Sequence, residues 1–477
     1  MAVIRGTDNN DTLESGGASP GPNELLGLGG ADTLWGAFDG DTLRGGDGED
    51  LLVADDLDRI VVDGGAGDDT ILAEAWSGDR VTIDGGDGLD TLLVDTGYYL
   101  NSEISNIERI EFSPQGNVYL FGSQFEALDV VFVGARGGYG QLWLVADPDR
   151  SSLNASSLRF EGHGGIFQTV LIGRAGSADR IVGSDYDDLI LGEGGGDRLI
   201  GGLGNDFYSH VGSNDAIVER ADGGYDGVFA DVDWRLGANI EELGLRDGVA
   251  ISAIGNALDN VLRGNSNANI LVGRGGADTM RGGAGDDVYT VDSSDDVVEE
   301  AKGDGIDTVR ATADFAFGSG QEIEILRGLG KAGLQLRGNG FDNRIIASNG
   351  DDLLRGYNGA DWLKGRGGDD TLMGGLGVDT LDGGAGADSF RFAEAPNGEV
   401  DVIRTFDASE DRLVLDDRAF TAFTKGATTA ADIYEHLLFD ARTGEIAYDA
   451  ESDGGWVVFA RIQHLTGILD ATSVVIV

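Results

Sequence analysis

A polar residue recurs every nine positions from Asn343 through Asp352, Asp361, Asp370, Asp379 and Asp388. The same step links Asp32, Asp41 and Asp50, then Asp179, Asp188, Asp197 and Asp206, then Asn260, Asn269, Asp278 and Asp287. Isolated copies run from Gly6 to Leu13 and from Gly64 to Ile71, the latter carrying Asp69. Carboxylates stacked at such spacing repel one another unless a cation lies between them. Hard oxygen ligands on flexible loops, six to eight per ion, suit Ca2+. The repeat has no His or Cys, which argues against zinc and copper.

The elements that position these residues are short. Each unit reads G-G-x-G-x-D-x-U-x with U large and apolar, as in Gly374-Gly-Leu-Gly-Val-Asp-Thr-Leu. Glycine tolerates positive φ and close backbone approach, so the first six residues form a tight turn with inward carbonyls. The last three, such as Thr371-Leu372-Met373, form a strand in which only the central side chain points inward. Leu34, Leu43, Leu52, Leu363, Leu372, Leu381 and Phe390 all hold that eighth position, a phase that a linker does not need. Two units close one coil of a spiral, with a column of turns on each side.

Composition agrees. The 477 residues include 81 Gly and only 5 Pro, so the glycine is neither collagen-like nor that of a Pro-rich linker. Acidic residues outnumber basic ones 85 to 33, a formal charge of −52 that excludes nucleic acid as a partner. A hydrophobic content of 41% says that the chain folds, and the repulsion must then be offset. There is no cysteine, hence no disulfide and no thiolate nucleophile. No run approaches the ~18 apolar residues of a transmembrane segment. The opening MAVIRGTDNNDTLESGG has no charged-then-apolar leader, which predicts the cytoplasm or an export route independent of such a signal.

These nonapeptides resemble the RTX (haemolysin-type calcium-binding) repeats of serralysin-like and surface-layer proteins. The resemblance implies an all-β fold, an elongated right-handed parallel β-roll or β-helix solenoid with Ca2+ stacked between turns. It implies that each ion is held by sixth-position aspartates, here Asp32, Asp41, Asp50, Asp69, Asp179, Asp188, Asp197, Asp206, Asp278, Asp287, Asp352, Asp361, Asp370, Asp379 and Asp388. Backbone carbonyls of the first four positions complete the set, including those of Gly192, Gly194, Gly201, Gly273, Gly275, Gly282, Gly356, Gly365, Gly367, Gly374 and Gly383. If a run of k units holds k − 2 ions, the four runs give roughly nine. Asn260, Asn269 and Asn343 remove a charge, so their sites are expected to be weak or empty.

A longer repeat overlies the first. The aspartates from Asp179 to Asp206 map onto those from Asn260 to Asp287 at a step of 81. Downstream, Phe207-Tyr208, Asp215, Glu219, Asp226 and Asn239-Ile-Glu241 return as Val288-Tyr289, Asp296, Glu300, Asp307 and Glu322-Ile-Glu324. These spacers are expected to be wider coils without stacked ion sites. The expected organisation is an N-terminal roll over 1–95, a metal-free β-helix-like segment over 96–178, two RTX-plus-spacer repeats over 179–342, a long roll over 343–390 and a C-terminal cap with a secretion signal over 391–477. Alternating segments from Ile107 to Ile172 predict strands, and Thr429 to Leu438 is the best helix.

The terminus Asp470-Ala-Thr-Ser-Val-Val-Ile-Val477 is similar to that of substrates of type I (ABC-transporter) secretion; an edge strand closing the solenoid is the plainer reading. No H-E-x-x-H or G-x-S-x-G motif occurs, and the repeats leave no room for a long apolar toxin helix. Asp147, Asp149, Arg150, Glu161 and His163 are the one group close enough in sequence to suggest catalysis, although Asp147-Pro-Asp149 also reads as a turn. No catalytic residues are therefore expected. The expectation is a secreted, extracellular or cell-surface protein that folds on Ca2+ and serves a structural or adhesive role. Its expected partners are calcium and the type I apparatus, with cell-surface polysaccharide or self-assembly left open. A β-helix carbohydrate-active enzyme centred on 96–178 is the alternative.

Overall fold

The computed structural model describes all residues except 1, 18–20, 55–57, 74, 77, 135–138, 162–165, 250, 424–428 and 453. The chain divides into two units, Met1–Asp231 with Gly237–Ile240, and Val232–Leu236 with Glu241–Val477. Each is a parallel β-solenoid; together they hold about 21 coils, and 4% of the residues are helical.

In the first unit the strands alternate between two faces. Val3–Arg5, Glu24–Gly29, Thr42–Asp47, Val61–Ala66, Thr82–Asp87 and Glu103–Ser105 form one sheet. The opposite face carries Thr12–Glu14, Thr33–Trp35, Leu51–Val53, Thr70–Leu72 and Thr91–Tyr98. The parallel register places eighth-position residues directly over one another: Leu34 on Leu52, Leu52 on Ile71, Ile71 on Leu92. All four are fully buried. Coil lengths vary, but the extra residues fall between strands, so the apolar stack is unbroken.

Between Arg109 and Ile172 the coils are wider, with Gln141 hydrogen-bonded to Gln168 across 27 residues. Strands Arg109–Phe121, Tyr139–Val145 and Ile166–Ile172 pair in parallel around Val118, Leu120, Leu142, Leu144, Val170 and Leu171. A short helix, Gly122–Ala127, lies where no helix is expected from the residues alone. It is held from both sides: Gln124 Oε1 accepts from Phe121 N–H at 2.7 Å, and Asp147 Oδ2 from Ser123 N–H at 3.0 Å.

In the second unit, Ile345, Leu363, Leu381 and Ile403 stack on one face, and Leu354, Leu372, Phe390 and Leu413 on the other. The C-terminal part departs from the spiral. Leu437–Asp440, Glu445–Tyr448 and Val457–Thr466 pair antiparallel, and Val457–Thr466 rejoins the parallel sheet beside Asp401–Asp407. The expected helix forms over Ala430–His436, where Thr429 and Asp432 cap each other reciprocally. Val474–Ile476 is an edge strand on Arg412–Leu415.

Candidate metal centres

The nine-residue step places alternate aspartates on opposite sides of the spiral, so stacked neighbours lie one coil apart. In every column the backbone N–H of one sixth-position residue donates to the carboxylate of the next coil. In the first unit this ladder runs from Asp11 through Asp32, Asp50, Asp69 and Asp90 to Glu108, with N···O distances of 2.7 to 2.8 Å. Two more run from Asp179 through Asp197 to Asp215 and from Asp188 through Asp206 to Asp226. In the second unit, Asn260 leads through Asp278 to Asp296, and Asn269 through Asp287 and Asp307 to Glu324. Asp352 leads through Asp370 and Asp388 to Asp411, and Asn343 through Asp361 and Asp379 to Asp401.

That bond uses one carboxylate oxygen. The other, Oδ2, is buried and accepts no hydrogen bond in Asp32, Asp50, Asp69, Asp90, Asp197, Asp206, Asp278, Asp287, Asp307, Asp361, Asp370 and Asp379. A buried charged oxygen without a partner is costly, and a column of them is far from the usual state of a protein interior. Burial pushes the carboxyl of Asp69 up to about 7, that of Asp370 to about 8 and that of Asp206 to about 9, with stacked carboxylates adding to the rise. Stacked oxygen-only donors with an unmet charge fit a hard divalent cation. Bound there, Ca2+ would supply the positive charge the column lacks.

Backbone conformation distinguishes two kinds of turn. Where Oδ2 is unmet within the nonapeptides, the second and fourth turn positions lie at positive φ: Gly375 and Gly377 before Asp379 (+114° and +127°), Tyr357 and Gly359 before Asp361 (82° and +118°). This turns the second N–H away from the carboxylate. The first glycine must also lack a side chain, because a Cβ on Gly192, Gly201, Gly273, Gly282, Gly356, Gly365, Gly374 or Gly383 would run into the Oδ2 five residues on. Gly194 has φ +76°, whereas before Asp278 and Asp370 the left-handed residues are Arg274 with Gly276 and Arg366 with Gly368, on either side of Gly275 and Gly367.

Asp388 follows a turn of the same kind, with Gly384 and Gly386 at +114° and +131°, whereas Asp41, Asp179, Asp188 and Asp352 sit in turns that satisfy them. Asp179 Oδ2 accepts from Arg174 N–H at 2.6 Å, and its Oδ1 from the Arg174 guanidinium at 2.7 and 2.9 Å. Asp188 accepts from Ser184 N–H and Oγ, and Asp352 from Ser348 N–H and Oγ. Asp41 accepts from Ser15 Oγ at 2.7 Å and from Asn23 N–H. Asn260, Asn269 and Asn343 likewise accept from the N–H four residues before them. Self-satisfied turns therefore stand at the first rung of each ladder, and Asp352 accepts in addition from Leu334 N–H of the preceding coil at 2.6 Å.

The far ends correct the expectation that the spacers lack stacked sites. Asp215, Asp226, Asp296, Asp307 and Glu324 continue the columns into the spacers, and Glu108, Asp401 and Asp411 do the same elsewhere. A fixed nine-residue step reaches Asp215 and Asp296 but misses Asp226, Asp307, Asp401 and Asp411, where the coils lengthen; the return of Asp215, Glu219 and Asp226 as Asp296, Glu300 and Asp307 is the signal that marks the spacer acids. The group around Asp147 is otherwise engaged. Asp147 anchors Ser123, Arg150 pairs with Glu126 at 3.2 Å, Glu161 pairs with Arg109 at 3.4 Å, and His163 lies outside the described residues.

A parallel β-solenoid whose glycine turns stack buried, unmet carboxylates defines a calcium-binding β-roll protein. The description "RTX calcium-binding nonapeptide repeat (4 copies)" matches residues 18–52, 61–75, 175–208, 254–297, 337–372 and 355–390, and the chain is an RTX-repeat protein. No curated protein matches it.

Proposed function

We propose that this protein folds on Ca2+ outside the cell and serves there as a structural or adhesive element of a surface layer, matrix or scaffold. The observation that carries the reading is the columns of buried Oδ2 atoms without a donor. At low calcium their repulsion opposes folding, and metal-binding energy becomes folding energy. Extracellular calcium modules bind at ~10⁻⁴–10⁻³ M, so a chain held loose in the cytosol folds on release. The resemblance of Asp470–Val477 to type I secretion termini supports that route. Circular dichroism during a calcium titration, followed by imaging of concentrated protein, tests the proposal. Calcium-driven gain of β-structure and ordered assemblies are expected. Persistent monomers by light scattering would remove the scaffold role, and a chelated protein of unchanged fold would remove the calcium role.

A second reading has one observation in its favour. Tyr98, Tyr119 and Trp143 stack along successive coils of the wide segment, with centroids 4.2 and 5.2 Å apart. A half-buried aromatic row of this kind suits sugar rings, as a carbohydrate-active β-helix requires. Tyr119→Ala with Trp143→Ala should then abolish glycan binding or turnover and leave calcium-induced folding intact.

A further inference from the structure

The two spacers each complete a constellation that begins on a nonapeptide aspartate, Asp206 or Asp287, and takes its other members from beyond the matched nonapeptides. Carboxylate oxygens of Asp206, Glu219 and Asp226 lie within 4.8 Å of one another, and so do those of Asp287, Glu300 and Asp307. The two groups are related by the step of 81. Two spacings repeat: Asp226 stands 20 residues after Asp206, as Asp307 does after Asp287, and each glutamate stands 11 residues after a tyrosine.

The glutamates are held in place. Tyr208 and Tyr289 are fully buried, and their hydroxyls donate to Glu219 and Glu300. Tyr289 Oη also accepts from Gly282 N–H at 2.7 Å, so the phenol is fixed at both ends. Independently of the cluster itself, Asp206, Asp287 and Asp307 are at least 99% buried, and the Oδ2 of each meets no donor. These oxygens point into the constellation: a Cβ on Gly201 would meet Asp206 Oδ2, Glu219 Oε1 and the Tyr208 hydroxyl at once.

We propose that each spacer completes an additional calcium site, with Glu219 and Glu300 as ligands from outside the nonapeptides and Tyr208 and Tyr289 as their positioning residues. Three anionic oxygen donors converge, which suits a hard divalent cation and leaves a tightly held ion at the end of each short roll. A tyrosine that fixes a ligand carboxylate is an outer partner of the kind that tunes metal affinity. The inference rests on the calcium reading of the ladders but assigns ligands that the repeat motif does not contain.

Native mass spectrometry of the full chain in Ca2+ counts the bound ions. Glu219→Gln and Glu300→Gln, each alone, should lower the count by one, and the double variant by two. Tyr208→Phe and Tyr289→Phe should retain the count at saturating Ca2+ and need roughly 10–100-fold more Ca2+ to reach it. An unchanged count in either glutamine variant, or unchanged calcium dependence in both phenylalanine variants, overturns the inference. Should a glutamine variant fail to fold, the phenylalanine pair decides. An unaltered chain that takes up no calcium would instead overturn the calcium reading of the ladders.

Discussion

Asp361 and Asp379 stand one coil apart: Asp361 N–H donates to Asp379 Oδ1 at 2.9 Å, while the Oδ2 of each is buried without a donor. One oxygen thus fixes the register of the spiral and the other remains for an ion. Asp352, in the neighbouring column, has both oxygens engaged: Ser348 N–H and Oγ donate to its Oδ2 at 2.9 and 3.0 Å, and Leu334 N–H donates to its Oδ1 at 2.6 Å.

The two kinds of aspartate should answer differently to removal of their charge. Asp370→Asn is expected to raise the calcium needed for half-folding roughly tenfold, whereas Asp352→Asn should shift it by less than about twofold. A calcium titration followed by circular dichroism compares them. Equal shifts would contradict the distinction between unmet and self-satisfied turns.

Acid should substitute for calcium in the chelated protein. Burial raises the carboxyls of Asp197 and Asp379 to about 6, Asp69 to about 7, Asp370 to about 8 and Asp206 to about 9, from an ordinary value of 3.8. Carboxyls raised in the folded state favour folding when protonated. Their contribution to the cation-free fold is full below about pH 4 and is lost as the pH rises from 6 through 9. Without calcium, β-structure should therefore grow on acidification and vanish towards pH 9. With saturating calcium, which needs the carboxylates ionised, the neutral side of that window should be the stable one.

Glycine at the second turn position should resist replacement. Gly375 has φ +114°, and a Cβ there would collide with the Tyr357 carbonyl one coil back. Gly375→Ala should cost about 1–3 kcal/mol from backbone strain, with the collision adding to it. Gly340, at ordinary φ with nothing within 4 Å of a Cβ, should accept alanine with little change. Denaturant midpoints of the calcium-loaded variants decide this.

Arg174 neutralises the first rung of its ladder. Its removal would leave the Asp179 carboxylate, 1% exposed, without its cation. Breaking a buried ion pair costs about 3–5 kcal/mol, and Arg174→Ala should fall near the lower bound because the arginine side chain is 23% exposed. Thermal unfolding in calcium measures the loss; a melting point unchanged from that of the parent would refute the role.

Strand phase and ligand columns were legible in the sequence to different depths. Leu363, Leu372 and Leu381 mark their strands because side-chain alternation allows only the middle residue inward. Asp401 and Asp411 were hidden because their columns step by 22 and 23 residues, away from the 18 of regular coils, and only backbone register brings them onto Asp379 and Asp388. The helix at Gly122–Ala127 was hidden for a related reason: Asp147, 24 residues downstream, supplies part of its hold. The division into unmet and self-satisfied aspartates depends on φ at one preceding residue. Residue type does not carry that information, since Arg174 precedes the self-satisfied Asp179 whereas Arg274 and Arg366, at positive φ, precede the unmet Asp278 and Asp370.

Each column has distinct beginnings and ends. It opens on a rung whose own turn satisfies the side chain and closes on an acid borrowed from a later coil, while the rungs between are interchangeable. Such an arrangement is extensible: inserting or deleting two nonapeptides mid-column changes its length and ion capacity while leaving both terminal rungs as they are. Growth and shrinkage of the molecule by whole coils are thereby accessible to simple duplication or loss of coding sequence.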